Sequence, residues 1–136
     1  MNYKIVDDLT SDVMFESEGE TLEELFENSA KALFSIMCKI NKVKARNSMK
    51  VEIKAENLEE LMFKWLQKLI ATVDIEEMFF SKFKIEEISE KKLKAKIYGQ
   101  GIKPELGETV VKAVTNYKFK VWKEKNKYFA RVALDI

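Results

Sequence analysis

The residues of this chain able to do chemistry are carboxylates, and the most suggestive lie near its two ends. Asp7, Asp8 and Asp12 cluster near the start, and Asp135 precedes the final Ile136, so a side-chain carboxylate adjoins the main-chain one. Alternation in ARVALDI puts Val132, Leu134 and Ile136 on a core side and Asp135 with Arg131 on the other. Asp12 likewise faces away from Val13 and Phe15. Two readings fit. These are solvated surface carboxylates with lysine neighbours, each pair contributing little, or Asp12, Asp135 and the terminal carboxylate bind a cation. The second requires the first and last strands to be neighbours, and spacing alone does not choose.

Other chemistries are restricted by what is missing. The chain has no histidine and one cysteine. That removes a Ser-His or Cys-His nucleophile, a histidine general base and any ordinary zinc site. A metal here must be a hard cation held by oxygens. Cys38 ends a helical segment among Phe34, Ile36 and Met37, away from any helix N-terminus, and reads as core filler. The loop GQGIKPELG, residues 99–107, lacks the GK[ST] ending of a phosphate cradle. Lys92, Lys94 and Lys96 share one strand face opposite Leu93, Ala95 and Ile97, and Lys118 and Lys120 oppose Phe119 and Val121. A solvated face protected from edge aggregation accounts for such stripes. The interleaved Tyr117, Trp122 and Tyr128 suit cross-strand pairs as well as nucleic-acid contacts.

The elements that position these residues are punctuated by helix caps. In TLEELFENSAKALFSIM, Thr21 and Glu24 form a capping box, and Leu22, Leu25, Phe26, Ala30, Leu33 and Met37 line one face. In NLEELMFKWLQKLIATV, Asn57 and Glu60 repeat the device ahead of a second amphipathic helix. YKIVDDLTSDVMFESEG reads as two short strands and MKVEIKA as another. Beyond residue 78 come FFSKFKIEEI, KLKAKIYG, AVTNYKFKVWKE and KYFARVALDI, the last two joined by a hairpin at KEKNK. The order ββαβαββββ predicts an α+β fold with two helices packed on a mostly antiparallel sheet.

At 136 residues the chain is expected to form a single domain over 1–136. Its 24 basic and 23 acidic residues nearly cancel, which argues against a protein that coats nucleic acid by bulk charge but not against a local basic face. No run is apolar enough to span a membrane and MNYKIVDDLT carries no signal-peptide pattern, so a cytoplasmic protein is expected.

Several segments together carry a resemblance over nearly the whole chain: TLEELFENSAKALFSIM, NLEELMFKWLQKLI followed by MFFSKFKI, KAVT, and the final LDI. In this order and spacing they resemble the archease family, small α+β proteins that assist the RtcB-type RNA ligase in tRNA splicing. The family's opening His-Thr-Ala-Asp stands here as Leu9, Thr10, Ser11 and Asp12, and its KAVTYH motif as Lys112 to Tyr117, with Asn116 and Tyr117 in place of Tyr-His. Both signature histidines are replaced. The resemblance implies a metal site of Asp12, Asp135 and the carboxylate of Ile136, with Lys112 and Thr10 on the functional surface. Calcium suits an all-oxygen set, with manganese or magnesium as alternatives. It implies no enzyme by itself, but an activator that promotes ligase guanylylation and multiple turnover, meeting RNA through the ligase and no membrane. The alternative is a metal-independent, chaperone-like adaptor of an RNA-processing or RNA-modifying enzyme.

Overall fold

The computed structural model describes residues 2–7 and 12–136. Thr10, Leu9 and Asp8 lie outside them. Each helix starts where its cap is. Thr21 Oγ1 accepts from the Glu24 amide at 3.1 Å and starts α1 (Leu22–Met37); Asn57 Oδ1 accepts from the Glu60 amide at 2.9 Å and starts α2 (Leu58–Glu76). In both boxes the glutamate reaches past the cap, Glu24 to the Glu20 amide and Glu60 to the Glu56 amide. These contacts satisfy donors that a helix start otherwise leaves unmade. Helix α2 runs a turn beyond the sequence expectation and stops at Glu77, in the left-handed region at φ 53°.

The strands are β1 (Tyr3–Asp7), β2 (Asp12–Gly19), β3 (Asn47–Lys54), β4 (Met78–Ile88), β5 (Lys92–Gly101), β6 (Ala113–Glu124) and β7 (Lys127–Asp135). With the helices they give the order ββαβαββββ, an α+β fold with antiparallel pairing throughout. They divide into a four-stranded sheet, β1-β2-β7-β6, and a three-stranded sheet, β3-β5-β4. Helix α1 packs on β1, β2 and β7 of the first sheet and on β4 of the second, while α2 packs on β6 and on β3, β4 and β5. The helices therefore lie between the sheets, and each sheet turns one face outward.

The core fills this middle layer. Phe15, Phe26, Phe34, Trp65 and Phe80 are fully buried, each contributing about 1.5–3 kcal/mol through burial. Phe34 meets Phe80 edge-on at 5.8 Å, and the buried Trp65 Nε1 donates to the Phe26 carbonyl at 3.0 Å.

The glycines differ from the sequence expectation. Gly99 and Gly101 belong to β5, so the loop starts at Ile102 rather than 99. A Cβ at Gly99 would collide with the Phe79 backbone, so this glycine permits a close approach of β4 to β5 and makes no turn. The KEKNK hairpin is as expected. Lys125 and Asn126, at φ 50° and 64°, form its two-residue loop.

Candidate acidic site at the end of the four-stranded sheet

The register of β2 with β7 is fixed by alternation, because a one-residue slip would turn every buried side chain outward. Phe15 pairs with Val132 and Val13 with Leu134, all toward the core. In that register Asp12 is the direct cross-strand partner of Asp135. From the sequence, a shared cation requires the first and last strands to be neighbours; the structure instead sets the second strand, β2, which carries Asp12, against the last, β7, while β1 lies on the outer side of β2. Directly opposed residues have Cβ atoms about 4.5–5.5 Å apart, close enough for two carboxylates to share a cation.

On its other side Asp135 faces Ala113 of β6, and the Lys112 amide donates to the Asp135 carbonyl at 2.8 Å. That bond ties the start of KAVT to the end of β7 and sets Lys112, itself exposed, beside the acidic pair. Ile136 follows directly and is 37% exposed. Met14 and Ala133, adjacent on the same outward face, are buried at 4% and 0%, so the carboxylates border an apolar floor. Arg131 lies four residues back on this face of β7, roughly 13 Å away at strand rise. It is engaged there, donating from Nε to the Lys118 carbonyl at 2.9 Å and lying 5.8 Å from the Trp122 ring centre.

After Thr115 the strand β6 bulges. Thr115 faces Ala133 and Lys120 faces Arg131, so four residues of β6 oppose one of β7. Lys118 takes a positive φ of 51° there, and Phe119 turns inward to meet Phe63 of α2 at 5.5 Å. Asn116 and Tyr117, the positions where the sequence departs from Tyr-His, are the exposed start of this bulge.

Among the described residues no group of three or more histidine, cysteine, aspartate or glutamate side chains converges. The candidate set is two aspartate side chains and a main-chain carboxylate. Its donors are all oxygens, which fits a hard cation and not zinc. A cavity of about 370 Å³ opens at the other end of this sheet, beside Trp122, Phe129 and Glu18, and does not involve the acidic pair. Cys38 is buried, and its thiol is pushed up to about 12, first by burial and then by the charge of Glu108, so it is no nucleophile. No helix among the described residues is long and apolar enough to cross a membrane.

Fold and site together define a small α+β domain with two helices between antiparallel sheets and a pair of facing carboxylates at one sheet end. The archease protein family matches residues 3–136, and the chain belongs to that family. It is 38% identical to the archease of Pyrococcus abyssi over 133 residues, covering 93% of this chain and 94% of that one. It is 33% identical to the archease of Sulfolobus acidocaldarius, covering 95% of each. Among solved structures, a Methanobacterium thermoautotrophicum protein superposes with a TM-score of 0.82 at 33% identity, covering 99% of both chains. A Thermotoga maritima archease, described as a possible chaperone, shares the fold at a TM-score of 0.71 and 17% identity, covering 96% and 95%.

Proposed function

We propose that this chain is an accessory protein of an RtcB-type RNA ligase in tRNA splicing, promoting ligase guanylylation and repeated turnover, and is not an enzyme by itself. The observation that carries the reading is the register that makes Asp12 the direct partner of Asp135 in an archease-family domain. Asp12, Asp135 and the main-chain carboxylate of Ile136 would hold a divalent cation, calcium first and manganese or magnesium as alternatives. When bound, such a cation neutralises the facing carboxylates and can orient phosphate oxygens of a nucleotide at the partner's surface. The Lys112 amide fixes the Asp135 backbone, and with it the approach of Ile136. The exposed Lys112 side chain is a point charge available to the partner beside that site.

The test is the rate of guanylylation of the ligase with and without this protein, for native chain, Asp12→Asn and Asp135→Asn. Both variants keep side-chain volume and remove charge. A loss of at least tenfold in the stimulated rate is expected for each. Full stimulation by both variants would transfer the function to a metal-independent, chaperone-like adaptor surface.

A further inference from the structure

The second sheet carries a charge pattern that its packing does not require. The lysines of β5, expected from the sequence to be a solvated stripe guarding an edge, lie on the central strand of β3-β5-β4, where there is no edge to guard. Across that face the register aligns Lys50 of β3 with Lys96 of β5 and Lys84 of β4. Like charges directly opposite one another are unfavourable in a sheet. None of these three makes an ion pair with a described carboxylate.

The next row shows the arrangement a merely solvated face would use, with Lys94 between Glu52 and Glu87. Beyond it Lys54 stands opposite Lys92, these two ion-pairing with Glu52 and Glu87 at 4.0 and 3.9 Å, and on the far side Lys82 and Ser48 flank Tyr98. The paired positions of this face thus present seven lysines and two glutamates, with the exposed Glu86 at the β4 bulge as a further acid, in a chain of net charge +1. Lys82 and Lys96 are held over the Tyr98 ring at 4.9 and 5.5 Å, which limits their freedom before any ligand arrives.

We propose that the outer face of the three-stranded sheet binds the phosphate backbone of a single-stranded nucleic acid, with Lys50, Lys84 and Lys96 as the central contacts. Strand geometry spaces the backbones that carry these three lysines about 4.8 Å apart across the sheet, with successive same-face rows about 6.8 Å apart along it, a regular grid suited to a repeating anion. A flat face touches a duplex along one ridge, whereas a flexible single strand can lie along several rows. An acidic protein surface is the lesser fit. Protein interfaces are built on apolar and aromatic anchors and are poor in lysine. The large exposed apolar residues, such as Ile75, Val110 and Ile102, lie outside these three strands. The inference is independent of the ligase reading, since it uses neither Asp12 nor Asp135.

The test is fluorescence anisotropy of a labelled mixed-sequence single-stranded RNA with the full chain, with polyglutamate as the competing polyanion. Three phosphate contacts give a log–log salt slope of about −2, so raising salt from about 50 to 200 mM weakens binding about 20-fold. Lys50→Gln, Lys84→Gln and Lys96→Gln combined should remove most of that slope and the binding, while Asp135→Asn should leave it intact. Each lysine lies on an outward face, and thermal melts of the triple variant verify that it folds. No binding at low salt, binding unchanged in the triple variant, or displacement by polyglutamate as readily as by unlabelled RNA would each overturn the proposal.

Discussion

Two neighbouring rows of the three-stranded sheet should respond with opposite sign to the same substitution. Lys96→Glu places an acid between Lys50 and Lys84 and converts two like-charge cross-strand pairs into attractive ones. Lys94→Glu does the reverse, making a third acid between Glu52 and Glu87. Both positions are half-buried on the same strand, so the intrinsic Lys-to-Glu difference cancels in the comparison. A surface pair contributes about 0.3 kcal/mol of either sign, so reversing two pairs changes stability by roughly 1 kcal/mol. Lys96→Glu also gives up the contact with Tyr98, about 0.5 kcal/mol, which leaves a net gain near 0.5 kcal/mol. Lys94→Glu loses the full 1 kcal/mol or so, which puts the variants about 1.5 kcal/mol apart. Urea denaturation at low ionic strength measures the gap, and repeating it in about 1 M salt should shrink it by screening. Equal effects of the same sign, or a gap unchanged by salt, would refute the electrostatic reading of the rows. A stabilised Lys96→Glu that also loses RNA binding would mean the fold tolerates a like-charge row for the sake of its ligand.

Further expectations concern the frame around the sites. Gly99→Ala sets a methyl group against the Phe79 carbonyl and should cost 2 kcal/mol or more, whereas Gly101→Ala, with open space around it, should be close to neutral; thermal melts separate the two. Asn57→Ala removes the cap of α2 and should cost about 1 kcal/mol in urea titrations. The Cys38 thiol ionises near 9 when unfolded and at about 12 when folded, so the unfolded chain releases its proton first as pH rises. Its stabilising effect is fully present below 9 and is lost between there and about 12. Cys38→Ala should therefore show a shallower loss of stability with alkaline pH, and the native thiol should resist thiol reagents at pH 8 until the chain unfolds.

Much of the fold is legible in local sequence because local physics decides it. Thr21 and Asn57 mark the helix starts, and alternation assigns a face to each residue of the strands. Faces do not name neighbours, however. That the strands split into two sheets, and that β2 lies against β7 more than a hundred residues away, depends on long-range pairings that periodicity does not encode. The acidic pair was thus readable as two outward aspartates but not as a facing pair. The lysine row was less accessible still. Lys50, Lys84 and Lys96 come from three separate strands and become a row only through two registers. Gly99 misled because a glycine that permits backbone approach looks, in sequence, like one that makes a turn. The bulge after Thr115 broke an alternation that otherwise ran smoothly to Glu124.

Asp12, Asp135 and the carboxylate of Ile136 are proposed to form one oxygen site. Calorimetric titration of calcium and of manganese tests it most directly, on the native chain, on Asp12→Asn, on Asp135→Asn and on a chain extended by one residue after Ile136. The native chain is expected to bind, and each of the other three to bind at least tenfold more weakly. Failure of the native chain to bind either ion, or equal binding by all four proteins, would contradict it.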